Sequence, residues 1–92
     1  MDKTLTLKQT GFYVTGAARL LLWGGGEMWY NMAPFHVMSI DEIPGKVNDG
    51  RFGCQRILEA ECDVYEDYEG THRFLETRNY GGAELLDAKT EV

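Results

Sequence analysis

The residue types that most often carry chemistry are thinly spread along this chain. Two cysteines, Cys54 and Cys62, and two histidines, His36 and His72, are the candidates for soft-metal or thiol–imidazole chemistry. Structural zinc sites usually draw ligands from close pairs such as C-x₂₋₄-C or H-x₃₋₅-H. Here the cysteines stand eight positions apart and the histidines are isolated. On a continuous strand the two sulfurs would share a face but lie about 26 Å apart, at about 3.3 Å per residue. A disulfide needs Cα atoms within about 7 Å. Neither a disulfide nor shared zinc ligation fits that spacing, which leaves Cys62 as a small buried apolar residue. A thiol–imidazole pair is the remaining nucleophilic candidate, and the single serine, Ser39, sits in no G-x-S-x-G elbow. The expectation is a protein without catalytic residues, metal or cofactor.

Carboxylates are concentrated instead. Glu59, Glu61, Asp63, Glu66, Asp67 and Glu69 place six of fifteen acidic residues in one eleven-residue window, with Tyr65 and Tyr68 among them. The EF-hand pattern D-x-[DN]-x-[DN]-G is absent, so a calcium loop is disfavoured. "WGGGE" does not continue into G-K-[ST] and is no phosphate loop. "GRFG" has the spacing of a nucleic-acid clamp without its flanking helices or basic surface. What remains is a surface: Glu59, Glu61, Asp63, Tyr65, Glu66, Asp67, Tyr68 and Glu69 as a partner-binding hairpin, tyrosine being a favoured interface residue. The plainer alternative is a solvated outer face on an edge hairpin, partly neutralised across strands by Arg73 or Arg78.

The elements that must position these residues have a dominant period of two. "TLTLK", "FYVTGAARLLLW", "EMWYNM", "FHVMSI", "QRILEAECDVY" and "THRFLETRNY" read as strands. In the fifth, Leu58, Ala60, Cys62 and Val64 alternate with Glu59, Glu61, Asp63 and Tyr65. Thr10-Gly11 and Pro34 punctuate, Gly16 marks a bulge or bend, and "EDYEG" forms a turn. "LLLWGGGEMWY" is a hairpin tip that places Trp23 and Trp29 on neighbouring strands, while Met28, Tyr30 and Met32 share a face. Ser39 and Glu42 have capping-box spacing for one short helical turn, limited by Pro44-Gly45. The fold expected is mainly β, with β-rich α+β as the variant: an antiparallel meander of about six short strands forming a sheet or small barrel. Residues 1–80 form a single domain, and 81–92 a tail or short helix.

Net charge is −6, from nine Lys and Arg against fifteen Asp and Glu. That balance disfavours direct nucleic-acid binding, which rests on cations, and disfavours anionic membranes. It suits a basic protein partner. The first ten residues hold no apolar signal-like core, so a cytoplasmic protein is expected. In size, acidity, β-rich character and lack of a catalytic motif, the chain resembles the small acidic accessory proteins of bacteriophages and mobile elements, including anti-CRISPR proteins. The resemblance implies a non-enzymatic inhibitor of a host nucleic-acid-handling complex, with carboxylates standing where phosphates would lie. Two other readings are a self-associating protein that uses Trp23, Trp29 and its sheet edges, and a ligand-binding barrel lined by Tyr13, Tyr30, Phe35 and Met38.

Overall fold

The computed structural model of this chain describes residues 8–50 and 52–89, with residues 86–89 as backbone alone. Four antiparallel strands, β1 (Gln9–Leu21), β2 (Glu27–Val37), β3 (Arg56–Tyr68) and β4 (Thr71–Gly81), form one open sheet. Two short helices, α1 (Ile43–Asn48) and α2 (Gly82–Lys89), accompany it. The mainly β, antiparallel architecture is as the alternation predicts. The strand count differs, because four long strands replace six short ones. The strand expected over "TLTLK" lies outside the described residues except for Lys8, which is not in a strand.

The difference in count has a specific cause: residues expected to end strands are absorbed as bulges. From Gln9 to Phe12 β1 advances three positions while β3 advances two, so Thr10-Gly11 sits inside the strand. Gly11 adopts φ +108°, and a Cβ there would lie 2.5 Å from the Val37 carbonyl oxygen. From Met32 to Phe35 β2 advances three positions while β1 advances two, from Gly16 back to Val14. Ala33-Pro34 holds the extra residue. β2 is an edge strand, where proline's missing N–H leaves no ladder bond unmade. Gly16 lies at this register shift, as expected of a bulge, and a side chain there would collide with the Glu61 carbonyl oxygen.

The strand order is β2-β1-β3-β4, so the chain is not a sequential meander. After β2, residues 38–55 carry the chain past β1 to the start of β3, and α1 lies in this crossover. Ser39 Oγ accepts the Asp41 N–H at 3.2 Å, opening a 3₁₀ turn over Ile40–Glu42. The Glu42 carboxylate accepts the Met38 N–H at 3.4 Å, one residue before the one a capping box would use. Pro44 does not stop the helix. It occupies the first turn of α1, where a backbone N–H has no intrahelical acceptor.

One face of the sheet is covered. Val14, Ala18 and Leu20 from β1, Met32 and Val37 from β2, Ala60, Cys62 and Val64 from β3, and Tyr80 from β4 are buried there. Ile43 and Val47 of α1 and Leu85 of α2 complete the same core. Full burial of a side chain such as Ile43 or Leu85 contributes about 1.5–3 kcal/mol. The apolar row of β3 departs from expectation at one position. A bulge at Leu58 makes Ile57 the partner of Leu20, and Ile57 packs against the core. Residues 82–89 are a docked helix and not a tail: the Glu84 carboxylate accepts the Gly81 N–H at 2.7 Å, and the Asn48 side-chain amide donates to the Leu85 carbonyl.

The other face carries no helix among the described residues. It presents Tyr13, Thr15, Ala17 and Arg19 of β1, His36, Asn31 and Trp29 of β2, the odd-numbered residues 59–67 of β3, and His72, Phe74, Thr77 and Asn79 of β4. None of these is buried. The sheet does not close, so Tyr13, Tyr30, Phe35 and Met38 line no barrel. Tyr13 lies on the open face, Tyr30 and Phe35 on the covered one, and Met38 is exposed beyond β2.

Candidate interaction face

The acidic strand β3 is central, flanked by β1 and β4, and its hairpin with β4 forms one end of the sheet, with β4 as the edge strand. Its alternation divides the expected hairpin set in two. Glu59, Glu61, Asp63, Tyr65 and Asp67 share the open face. Glu66 falls on the other face, opposite Phe12 and Arg73, and accepts the Tyr68 hydroxyl at 3.0 Å. That bond to Glu66 holds the Tyr68 hydroxyl above its ordinary pKa. Because Tyr68 pairs with Thr71, the turn is only Glu69-Gly70, not all of "EDYEG". The eight nominated residues therefore do not form one surface. Five do, Glu69 caps its end, and Glu66 and Tyr68 point away.

Along the open face most carboxylates have partners. Arg19 bridges three strands: its Nε donates to Glu59 at 2.7 Å and an Nη donates to Glu27 at 2.5 Å. The Glu59 and Glu27 bonds, in that order, raise the already high pKa of the guanidinium. Asp63 accepts the Thr77 hydroxyl at 2.7 Å. Glu61, between these pairs, is exposed and makes no ion pair with any described residue. Arg78 does not neutralise the acidic strand; it pairs with Glu76 at 2.9 Å along β4. Arg73 comes only to 3.9 Å of Glu66.

At the turn end the sheet assembles a cluster that local sequence does not announce. Asp67 lies 2.9 Å from His72 Nδ1 and 3.4 Å from His36 Nε2. His36 Nε2 also donates to the Thr10 carbonyl at 2.6 Å, because a carbonyl can only accept. Tyr13 stacks on His72 with ring centroids 4.0 Å apart and planes 6° from parallel. Tyr65 meets Tyr13 and Phe74 edge-on, at 5.9 and 5.6 Å. The two histidines are 36 residues apart in sequence, and only strand order brings them to one carboxylate. Alternation assigns each to a face, but nothing in the sequence specifies that order.

The tryptophans separate. Trp23 lies in the loop after β1, 73% exposed, while Trp29 is on β2 opposite Arg19, half exposed on the open face. Neither fills the core, and none of the described aromatic pairs joins them. Trp23, Phe52, Cys54, Arg56, Ile57 and Leu85 instead border a cavity of about 410 Å³ at the end of the covered face.

Both cysteines are free thiols. Cys54 precedes β3 and is part-exposed, whereas Cys62 is fully buried opposite Gly16. Burial first, then the carboxylates of Asp63 and Glu61, push the Cys62 thiol up to about 11. Cys54 lies beside Gln55, which bonds Leu21, while both histidines lie near Tyr13 at the other end of β1. Eight strand positions, about 26 Å, separate these ends, so Cys54 forms no thiol–imidazole pair; Cys62 faces away from both rings. Among the described residues, no group of three or more His, Cys, Asp or Glu is arranged to hold a metal ion. No helix of the described residues is long and apolar enough to cross a membrane. Comparison with known proteins finds no matching family model, curated protein or solved structure.

Proposed function

We propose that this chain is a non-enzymatic protein-binding module whose open sheet face docks on a basic protein surface. The observation that supports the reading most is the register of β3. It sets Glu59, Glu61, Asp63, Tyr65 and Asp67 in one row on the uncovered face, with Phe74 exposed on the adjacent β4 and Trp29 exposed on β2, beyond β1. Acid at the centre with aromatics beside it is the composition that steers a cationic partner and then holds it by contact area. The Arg19 and Thr77 bonds fix the row, so little side-chain entropy is lost on docking. Glu61 supplies charge without a competing intramolecular pair among the described residues. With net charge −6, the partner is a protein and not nucleic acid. The resemblance to phage and mobile-element accessory proteins suggests its class: a basic, nucleic-acid-handling complex of a host, inhibited by carboxylates in place of phosphates.

The test is affinity capture from a host lysate with the wild-type chain, a Glu61→Lys/Asp63→Lys variant and a Glu66→Lys control on the opposite face. The expected result is a nucleic-acid-handling protein bound by wild type and control, lost from the double variant and weakened by added salt. Equal capture by all three proteins would remove the open face from consideration.

A further inference from the structure

The two edges of the sheet are not alike. The outer edge of β2 is broken by the Ala33-Pro34 bulge, a feature that blunts pairing with another strand. The outer edge of β4 runs from Glu76 to Gly81 with no register shift, and among the described residues β3 is its only neighbour. Glu76 and Arg78 stand on one face of this segment, opposite Val64 and Cys62, and Thr77 stands on the other, opposite Asp63. We propose that two copies of this chain pair antiparallel along β4, about a two-fold axis through Thr77, to make one continuous eight-stranded sheet.

Charge complementarity selects both the occupant and the register. A two-fold perpendicular to the sheet keeps each face on its own side, so only registers centred on a residue are allowed. Centring on Glu76 sets two carboxylates opposite each other, and centring on Arg78 sets two guanidinium groups opposite each other. Centring on Thr77 places Glu76 across from the second copy's Arg78, and Arg78 across from its Glu76. Such isologous pairing makes every contact twice. Opposite-charge pairs are a favourable cross-strand combination, and Thr77 on the axis keeps its hydroxyl bond to Asp63. Arg78 is already oriented by Glu76 and by the Tyr80 hydroxyl, at 2.9 and 3.0 Å. Two copies would thus form a closed ring of two carboxylates and two guanidinium groups. The strand carries Arg73 and Arg78 against Glu76, a cationic balance in a molecule of net charge −6. The uninterrupted pairing covers Glu76 to Arg78, and exposed Phe74 and Leu75, at the register shift, mark its end.

Sedimentation over a concentration series at physiological ionic strength tests the pairing. The wild type should run as a dimer. Arg78→Glu and Glu76→Arg should each run as a monomer, because each sets like charges opposite one another. An equimolar mixture of the two variants should recover a dimer, since one copy then presents only cations and the other only carboxylates. Circular dichroism of each variant separates lost pairing from lost fold, and the exchanged double variant Glu76→Arg/Arg78→Glu should dimerise as the wild type does. A wild type monomeric throughout the series overturns the proposal, as does a dimer that survives both single changes. So does a mixture of folded variants that stays monomeric. Charge reversal at Glu61, whose β4 neighbour Asn79 is uncharged, should leave the dimer intact, so this proposal and the open-face reading stand or fall separately.

Discussion

The two faces of the sheet come from the same four strands and the same alternation, yet they manage polarity in opposite ways. Among the described residues, the covered face buries no polar or charged residue and gains its stability from Leu20, Ile43, Val47, Val64 and Leu85. The open face buries nothing and is laced by Arg19, Asp63, Asp67 and two histidines. Exposed ion pairs of this kind contribute about 0–1 kcal/mol each, against the several kcal/mol of a buried aliphatic side chain. One face therefore determines whether the chain folds, and the other is left to determine what it meets.

Substitutions on each face turn that division into numbers. The largest effect belongs to the crossover: Ile43→Ala should lower unfolding free energy by about 2–5 kcal/mol in urea titration, because a fully buried side chain leaves a cavity. Gly16→Val, where the two faces meet at one backbone, should cost about 1–3 kcal/mol through strain and collision with Glu61. Cys62 should resist thiol labelling in the native state while Cys54 reacts, and should become reactive on unfolding. Its thiol ionises near 9.0 when unfolded and about 11 when folded. The folded state thus holds the proton more tightly, and stability should fall as pH rises through 9 to 11, a loss that Cys62→Ala removes. Smallest of all, Glu61→Lys on the open face should shift stability by no more than about 0.5 kcal/mol. A Glu61→Lys change as costly as Ile43→Ala would erase the distinction between the faces.

What the sequence makes legible follows from the period of two. "LEAECDVY" announces a strand with an acidic side and an apolar side, and β3 has both. Alternation cannot reveal bulges: Gly11 and Pro34 look like stops, yet each shifts a strand's register without ending it. It also cannot reveal order, because pairing between β1 and β3 depends on where the 38–55 crossover lies. That is why Asp67 with His36 and His72 goes unforeseen, and why a hairpin face expected to hold eight residues holds five. The helices were half visible. Ser39 marks the start, but Pro44 reads as a breaker unless its place in the first turn is known.

The crossover has a consequence for how the chain assembles. Each of the two hairpins closes locally, Leu21 against Glu27 and Tyr68 against Thr71, whereas the seam between them joins residues as distant as Gln9 and Tyr68. Local closure has the smaller entropic cost, so the hairpins are expected to form first and the β1–β3 seam to form last and set the rate. A cut within 49–55, after α1, would leave both hairpins whole and make that seam the joint between two fragments. The molecule is thus laid out as a split protein, two halves whose recombination along one line of backbone restores the sheet.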